Sequence, residues 1–141
     1  MPACFVDTSG FYAVADADDV GHSATRPVFE ARGRARELVT SDYVFVETWC
    51  LIRARLGREA AMSFWDAMVG GTVRVLGVGS EDLRRARAIA REWSDQDFSL
   101  VDATSFALCE RHGIDDALAL DAHFRVFRAG PRRQRALRVL P

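Results

Sequence analysis

Short apolar runs that stop at an aspartate place the strongest constraint on how this chain can fold. Ala3–Val6 runs into Asp7, and Ala117–Leu120 runs into Asp121. Strands that are buried on both faces read as continuous apolar runs, and they are typical of parallel sheets covered by helices. Similar runs predict further short strands at Leu38–Thr40, Val73–Leu76 and Ala136–Val139.

Segments with helical spacing of apolar residues lie between these runs. They predict helices at residues 9–18, His22–Arg36, Tyr43–Leu56, Ala60–Met68, Ser80–Trp93 and Leu100–Arg111. Strands that alternate with helices indicate an α/β fold with a mainly parallel sheet. A length of 141 residues suits one domain with one core, so we expect residues 1–141 to form a single domain.

Composition excludes several classes of protein. The 19 basic and 20 acidic residues leave a net charge of −1, which argues against a protein that coats nucleic acid through bulk charge. Cys4, Cys50 and Cys109 are too sparse for a metal motif or a disulfide framework, so we expect buried free thiols. We see neither a signal peptide nor an apolar stretch of the roughly 18 residues that a membrane span needs, and we expect a cytoplasmic protein.

Four carboxylates stand in apolar settings. Asp7 and Asp121 end strands, where they could also cap a helix or form a turn. Glu47 is the only charged residue between Tyr43 and Ile52, so it lies on an apolar helix face, with an arginine from another helix as the alternative partner. Asp102 lies early in a helix among apolar neighbours, where a first-turn acid is also favoured by the helix dipole.

A parallel sheet can bring these four acids to one edge, where they would repel one another unless a divalent cation neutralised them. Oxygen ligands without histidine or cysteine suit Mg²⁺ or Mn²⁺ rather than zinc, and these ions activate water and stabilise a phosphate during in-line displacement. Thr8, Ser9, Thr104 and Ser105 could add hydroxyl contacts. Asp97 could be an auxiliary ligand or a helix cap. We expect His123, beside Phe124, to be structural.

Four segments carry a family resemblance: Phe5–Ser9, Val44–Thr48, Asp97–Phe106 and Ala119–Phe124. In order and separation they resemble the PIN-domain nucleases, and among these the VapC-type toxins of type II toxin–antitoxin systems. The resemblance implies a three-layer α/β/α sandwich and a Mg²⁺- or Mn²⁺-dependent endoribonuclease. It also implies that Asp7, Glu47, Asp102 and Asp121 form the acidic catalytic and metal-binding set. A VapB-like antitoxin and a homodimer or toxin–antitoxin hetero-oligomer are the partners that it implies.

The charged residues are segregated along the sequence. Residues 92–121 hold eight acids and one arginine, whereas residues 122–141 hold six arginines and no acid. We predict that Arg125, Arg128, Arg132 and Arg133 bind RNA phosphates, with a solvated surface stretch as the alternative.

The sequence lacks the motifs of two other classes of protein. An aspartyl-nucleophile phosphatase would need a second acid where Ser9 stands, and a dinucleotide site would need a glycine where Asp82 stands. Two readings within the family are a housekeeping RNA-processing nuclease and a catalytically inactive PIN-like binding scaffold.

Overall fold

A computed structural model describes residues 2–141 of the chain. In chain order the strands are β1 (Cys4–Val6), β2 (Leu38–Ser41), β3 (Arg74–Leu76), β4 (Asp116–Leu118), β5 (Arg128–Ala129), β6 (Arg135–Ala136) and β7 (Arg138–Leu140). The helices are α1 (Thr8–Ala15), α2 (His22–Arg34), α3 (Asp42–Leu56), α4 (Arg58–Val69), α5 (Ser80–Glu92), α6 (Leu100–His112) and α7 (His123–Val126). Among these residues, no helix has the length and hydropathy that a membrane span requires.

The central sheet has the strand order β3-β2-β1-β4-β7, and every pairing in it is parallel. From β1 the chain moves outward to β2 and β3, then crosses back to β4 and β7 on the other side of β1. Because such crossovers are right-handed, the helices before β3 and those after it lie on opposite faces of the sheet. The predicted three-layer α/β/α sandwich is therefore confirmed. The order of strands reverses between β1 and β4, where open parallel sheets bind ligands.

Aromatic side chains pack β1 against α6 and α7. The rings of Phe106 and Phe127 stack with centroids 4.3 Å apart, and Phe106 meets Phe124 edge to face at 4.9 Å. Phe124 in turn lies 6.5 Å from Phe5 of β1. All four rings are buried. They anchor α7, a single helical turn, beside the carboxyl end of the sheet.

The structure corrects several predicted boundaries. Helix α1 ends at Ala15 rather than at residue 18, because Asp16 accepts a hydrogen bond from the backbone N–H of Asp18 and starts a turn. The strand predicted to reach Leu120 ends at Leu118. The backbone N–H of Leu120 donates to a side chain instead of a neighbouring strand.

Two further predictions were wrong: the last strand and the burial of one cysteine. The strand expected at residues 136–139 is divided between β6, which pairs antiparallel with β5, and β7, which joins the central sheet. Leu137, between them, is buried. Cys4 and Cys109 are buried as expected, but Cys50 is exposed because it lies on the outer face of α3.

A charged network closes the sheet at the amino end of β4. Asp116 of β4 accepts two hydrogen bonds from Arg138 of β7, at 3.0 and 2.6 Å, and a third from Arg32 of α2 at 3.0 Å. The hydrogen bond from Arg138 outweighs the effect of burial and holds the pKa of Asp116 below its usual range. The carboxylate of Asp116 thus connects β4 to the neighbouring strand β7 and to helix α2.

We predict that Asp116→Asn destabilises the protein by about 2 kcal/mol at pH 7, because two guanidinium groups lose their carboxylate. A depressed pKa gives stability that is present above the unfolded-state pKa, about 4, and is lost as the pH falls through the folded-state value. The difference between wild type and variant should therefore shrink in acid. Urea unfolding at pH 7 and pH 3 measures it. The exposed Asp115 pairs with Arg135, so Asp115→Asn should cost no more than about 0.5 kcal/mol. Equal stability of the two variants would contradict the prediction.

Candidate active site

A cleft of about 640 Å³ opens at the carboxyl ends of β1 and β4, where the strand order reverses. The side chains that line it come from the ends of both strands, from α1 and α3, and from the segments before α6 and α7. They include Asp7, Thr8, Ser9, Tyr12, Glu47, Leu51, Arg55, Asp97, Ser99, Asp102, Asp121 and His123. All four acids predicted from the sequence are among them.

Asp7 both caps a helix and lines the cleft. It is the N-cap of α1, since its Oδ2 accepts hydrogen bonds from the backbone N–H of Ser9 at 3.2 Å and from the Ser9 hydroxyl at 2.8 Å. It also lines the cleft, although only 3% of its surface is exposed. Burial raises the pKa of Asp7 to about 6, and the negative charge of Asp102 acts in the same direction. The acid is therefore held where its charge is unfavourable in the absence of a cation.

Ser9 joins the ends of the two central strands. Its hydroxyl donates to Asp7 and accepts from the backbone N–H groups of Leu120 and Asp121, at 2.9 and 3.3 Å. The segment after β4 is thereby held against the turn after β1. Of the hydroxyl residues in the cleft, Ser9 has the clearest structural task.

Asp102 lies in the first turn of α6 and forms a capping box with Ser99. Its backbone N–H donates to the Ser99 hydroxyl at 3.0 Å, and its Oδ2 accepts from the Ser99 backbone N–H at 3.1 Å. The same Oδ2 lies 2.9 Å from Nδ1 of His123, which donates to it. Asp102 therefore has the first-turn role that was the alternative prediction. Both of these carboxylate contacts use Oδ2, and Oδ1 stays available to the cleft.

Asp121 precedes α7 and accepts a hydrogen bond from the backbone N–H of His123 at 2.8 Å. Its Oδ1 lies 3.4 Å from Nδ1 of His123, so the imidazole faces two carboxylates. Burial alone lowers the pKa of His123, but the hydrogen bond to Asp102 and the charges of Asp121 and Asp97 outweigh it and raise the pKa above its usual value. His123 thus lines the cleft and holds Asp102, and the structural role expected of it stays a prediction.

Glu47 reaches the cleft from α3. The Thr8 hydroxyl donates to its Oε1 at 2.5 Å, and the Thr48 hydroxyl donates to Thr8 at 3.3 Å. No ion pair between Glu47 and an arginine occurs within residues 2–141, so the alternative partner considered from the sequence is not found. A hydroxyl relay rather than a salt bridge orients this carboxylate.

The remaining candidates are divided. Asp97 and Thr8 line the cleft, as an auxiliary role requires. Ser105 does not: it is fully buried and donates to the carbonyl oxygen of Val101 within α6. The four arginines predicted to bind RNA lie outside the lining of the cleft, at Arg125, Arg128, Arg132 and Arg133.

Two residues of the cleft escaped the sequence reasoning. His123 follows Asp121 by two positions, and this acid-x-histidine spacing at a predicted strand end was the available signal. Arg55 lines the cleft from the last turn of α3. The available signal was helical spacing: Arg55 follows Glu47 by eight residues and so shares its face of α3, whereas Arg53 does not.

The donor set fits a hard divalent cation. Asp102, Asp121 and His123 each offer one ligand atom, and these atoms lie within 4.8 Å of one another. Asp7 lies close enough for the charge of Asp102 to raise its pKa. Carboxylate oxygens with at most one imidazole nitrogen match the preferences of Mg²⁺ and Mn²⁺.

Comparisons with known proteins point to one family. The model of the PIN-domain family matches residues 4–129. The 23S rRNA-specific endonuclease VapC20 of Mycobacterium tuberculosis is 32% identical over 120 residues, which are 85% of this chain and 90% of the relative. Its crystal structure, described as that of a sarcin-ricin loop cleaving toxin, matches with a TM-score of 0.79 at 31% identity, over 85% of this chain and 91% of that one. The chain belongs to the PIN-domain family, and the predicted resemblance to its VapC-type toxins is confirmed.

Two more distant structures share the fold. DNA-bound VapBC from Salmonella typhimurium matches with a TM-score of 0.66 at 13% identity, over 99% of this chain and 97% of that one. A toxin–antitoxin complex from Klebsiella pneumoniae matches with a TM-score of 0.58 at 15% identity, over 85% and 88% of the two chains. At such identities the likeness concerns the architecture alone.

We predict that Asp7→Asn stabilises the metal-free protein at pH 8 by on the order of 2 kcal/mol, because the amide needs no charge in this buried position. A raised folded-state pKa means that wild-type stability falls as the pH rises from about 4 to about 6. The advantage of the variant should grow over the same interval and then stay constant. Thermal unfolding in chelator at several pH values measures it, with Asp95→Asn at an exposed position as control. A variant less stable than wild type at pH 8 would contradict the charge argument.

Proposed function

We propose that this protein is a divalent-metal-dependent endoribonuclease that acts as the toxin of a type II toxin–antitoxin pair. The observation that carries the proposal is the convergence of Asp7, Glu47, Asp102 and Asp121 on one cleft at the reversal of strand order. None of these carboxylates is paired with an arginine in the part of the chain that the structure describes. Such a site favours a cation over a neutral substrate.

Asp7, Asp102 and Asp121 would hold Mg²⁺ or Mn²⁺, and Glu47 would complete the set, in part through water. The bound ion supplies an activated water and offsets the charge that develops on the phosphate. The protein's own groups keep the carboxylates in place: Ser9 fixes Asp7 and the Asp121 segment, Thr8 orients Glu47, and Ser99 orients Asp102. The imidazole of His123 donates to Asp102 and reduces the repulsion between it and Asp121.

RNA is the substrate class that we propose, and 23S ribosomal RNA is the member that similarity to VapC20 favours. The four arginines named above, which we call the arginine surface, support a polyanionic substrate. In the described residues none of them has a carboxylate partner, whereas Arg135 and Arg138 are neutralised by Asp115 and Asp116.

A row of rings connects the arginine surface to the cleft. The guanidinium of Arg133 lies 4.6 Å from the ring centroid of Trp93. Trp93 packs against Phe98 at 6.0 Å, and Phe98 packs against His123 at 5.1 Å. Through these contacts Arg133 is close enough to hold the backbone of an RNA whose cleaved bond lies in the cleft. We propose this role for Arg125, Arg128, Arg132 and Arg133.

A VapB-like antitoxin is the protein partner that we propose. Relatives of this fold were solved as toxin–antitoxin complexes. An apolar depression of about 330 Å³ between α1, α2 and α4, lined in part by Phe11, Phe29, Phe64 and Met68, offers the kind of surface that an amphipathic helix covers. The homodimer predicted from the sequence stays a proposal, as does a single domain over residues 1–141.

Two alternatives have direct discriminators. A housekeeping RNA-processing nuclease would cut RNA without arresting growth on induction and without a small antitoxin encoded beside it. A PIN-like scaffold would bind RNA without cutting it in any divalent metal. Mapping the RNA ends produced after brief induction distinguishes the toxin from both.

We predict that Asp102→Asn lowers RNA cleavage more than about 100-fold, since losing a ligand should cost more than losing one of the groups that orient ligands. The amide keeps the size of the side chain and can still accept from Ser99, so the thermal stability should be preserved. Cleavage of 23S rRNA fragments is measured with Mg²⁺, with Mn²⁺ and with chelator. Asp95→Asn is the control and should cleave normally. Wild-type cleavage that persists in chelator would contradict the metal dependence. A fully active Asp102→Asn variant would contradict the role of Asp102 as a metal ligand.

We predict that the double substitution Arg132→Ala and Arg133→Ala weakens RNA binding and reduces the slope of log Kd against log salt by about 2, one for each lost phosphate contact. Filter binding across a range of salt concentrations measures the slope. Arg135→Ala is the matched control, since Arg135 is already paired with Asp115. An unchanged slope in the double variant would show that Arg132 and Arg133 do not contact RNA phosphates.

A further inference from the structure

One face of α3 runs along the cleft from the acidic centre outward. Glu47, Leu51 and Arg55 are spaced by four residues, and all three line the cleft. At a rise of about 1.5 Å per residue, the backbone of Arg55 lies about 12 Å from that of Glu47 along the helix axis. The same face therefore presents a carboxylate at one end and a guanidinium at the other.

An aromatic ring holds Arg55 in this position. Its guanidinium carbon lies 5.0 Å from the ring centroid of Tyr12, which also lines the cleft. Tyr12 is buried, and its hydroxyl donates to Asp16 at 2.7 Å, so the ring is a fixed platform. Arg55 itself is exposed. A guanidinium held over an aromatic ring by a cation–π contact can still donate N–H groups to an anion.

Arg55 contrasts in charge with the rest of the cleft. The lining otherwise carries the acids Asp7, Asp19, Glu47, Asp97, Asp102 and Asp121, and Arg55 is the one guanidinium among the lining residues described. It forms no ion pair with a carboxylate within residues 2–141. The hydrogen bond from Tyr12 lowers the pKa of Asp16, and the charge of Arg55 acts in the same direction, but the two side chains form no ion pair. A guanidinium without an ion-pair partner at the outer end of an acidic cleft is a place where a polyanion could be held.

We propose that Arg55 forms a phosphate-binding subsite that holds an RNA phosphate next to, but distinct from, the one that is cut. This inference rests on the proposed function, because it concerns the substrate of the same cleft. Arg55 is a binding residue in this scheme. Since its backbone lies about two helical turns from that of Glu47, we expect Arg55 to contribute to affinity and register more than to the chemical step.

Arg53 provides a matched control. It also lies in the last turn of α3, where both arginines complement the helix dipole, and its guanidinium also lies over a ring, 5.9 Å from that of Trp49. It does not line the cleft. A general effect of positive charge on α3 would affect Arg53 and Arg55 alike, whereas the proposed subsite depends on Arg55 alone.

The test compares Arg55→Gln, Arg55→Lys and Arg53→Gln, with thermal unfolding confirming that each is folded. We expect Arg55→Gln to raise KM about tenfold, to change kcat less than about twofold, and to lower the salt slope of RNA binding by about 1. Arg55→Lys should recover part of the affinity, and Arg53→Gln should behave as wild type. Unchanged KM and salt slope in Arg55→Gln, or equal losses in both glutamine variants, would overturn the proposal.

Oligonucleotides with a single uncharged methylphosphonate locate the contact. The phosphate bound by Arg55 is the one whose neutralisation weakens binding to wild type but not to Arg55→Gln. Coupling at the cleaved phosphate alone would overturn the separate subsite. If wild type binds RNA with this coupling but never cuts it, the subsite stands and the nuclease function fails. A wild type that binds no RNA removes both.

Discussion

The hydroxyl of Ser9 is the contact on which the geometry of the cleft depends. It donates to Asp7 and accepts from two backbone N–H groups beyond β4, so one oxygen joins the ends of the two central strands. Two parallel strands that lie side by side have no local connection, because helices α1 to α6 separate them along the chain. The backbone N–H of Asp7 also donates to the carbonyl oxygen of Leu118, but the Ser9 hydroxyl is the acceptor for the N–H groups of Leu120 and Asp121.

The same cleft concentrates negative charge at a cost to stability. The burial of Asp7 raises its pKa to about 6, and the proximity of Asp102 adds to the effect. His123 relieves part of the repulsion, since it lies between Asp102 and Asp121 and its own pKa is raised by them. Elsewhere the chain places its acids beside arginines, as at Asp116 and Asp82. Carboxylates that stabilise the fold are paired with arginines, whereas the carboxylates that we propose to bind a cation are not.

The architecture could be predicted largely from the sequence, because the signal that specifies it is local. A buried strand such as β1 is apolar on both faces. A capping residue such as Ser99, directly before a helical pattern of apolar residues, indicates where a helix begins. The four acids were found for the same reason: each interrupts an apolar pattern. Their convergence on one cleft is what the structure adds, and their roles in cleavage stay predictions.

Features that depend on long-range geometry were out of reach. The division of the last predicted strand at Leu137 follows from the burial of one side chain, which no local pattern records. Helical spacing puts Arg55 and not Arg53 on the face of α3 that carries Glu47. The contact between Arg55 and the ring of Tyr12, which lies 43 residues away in the chain, is seen only in the structure. Likewise, a net charge of −1 conceals a cleft rich in acids and an arginine surface beyond it. For a nuclease that must attract a polyanion to its carboxylates, this separation of charge matters more than its sum.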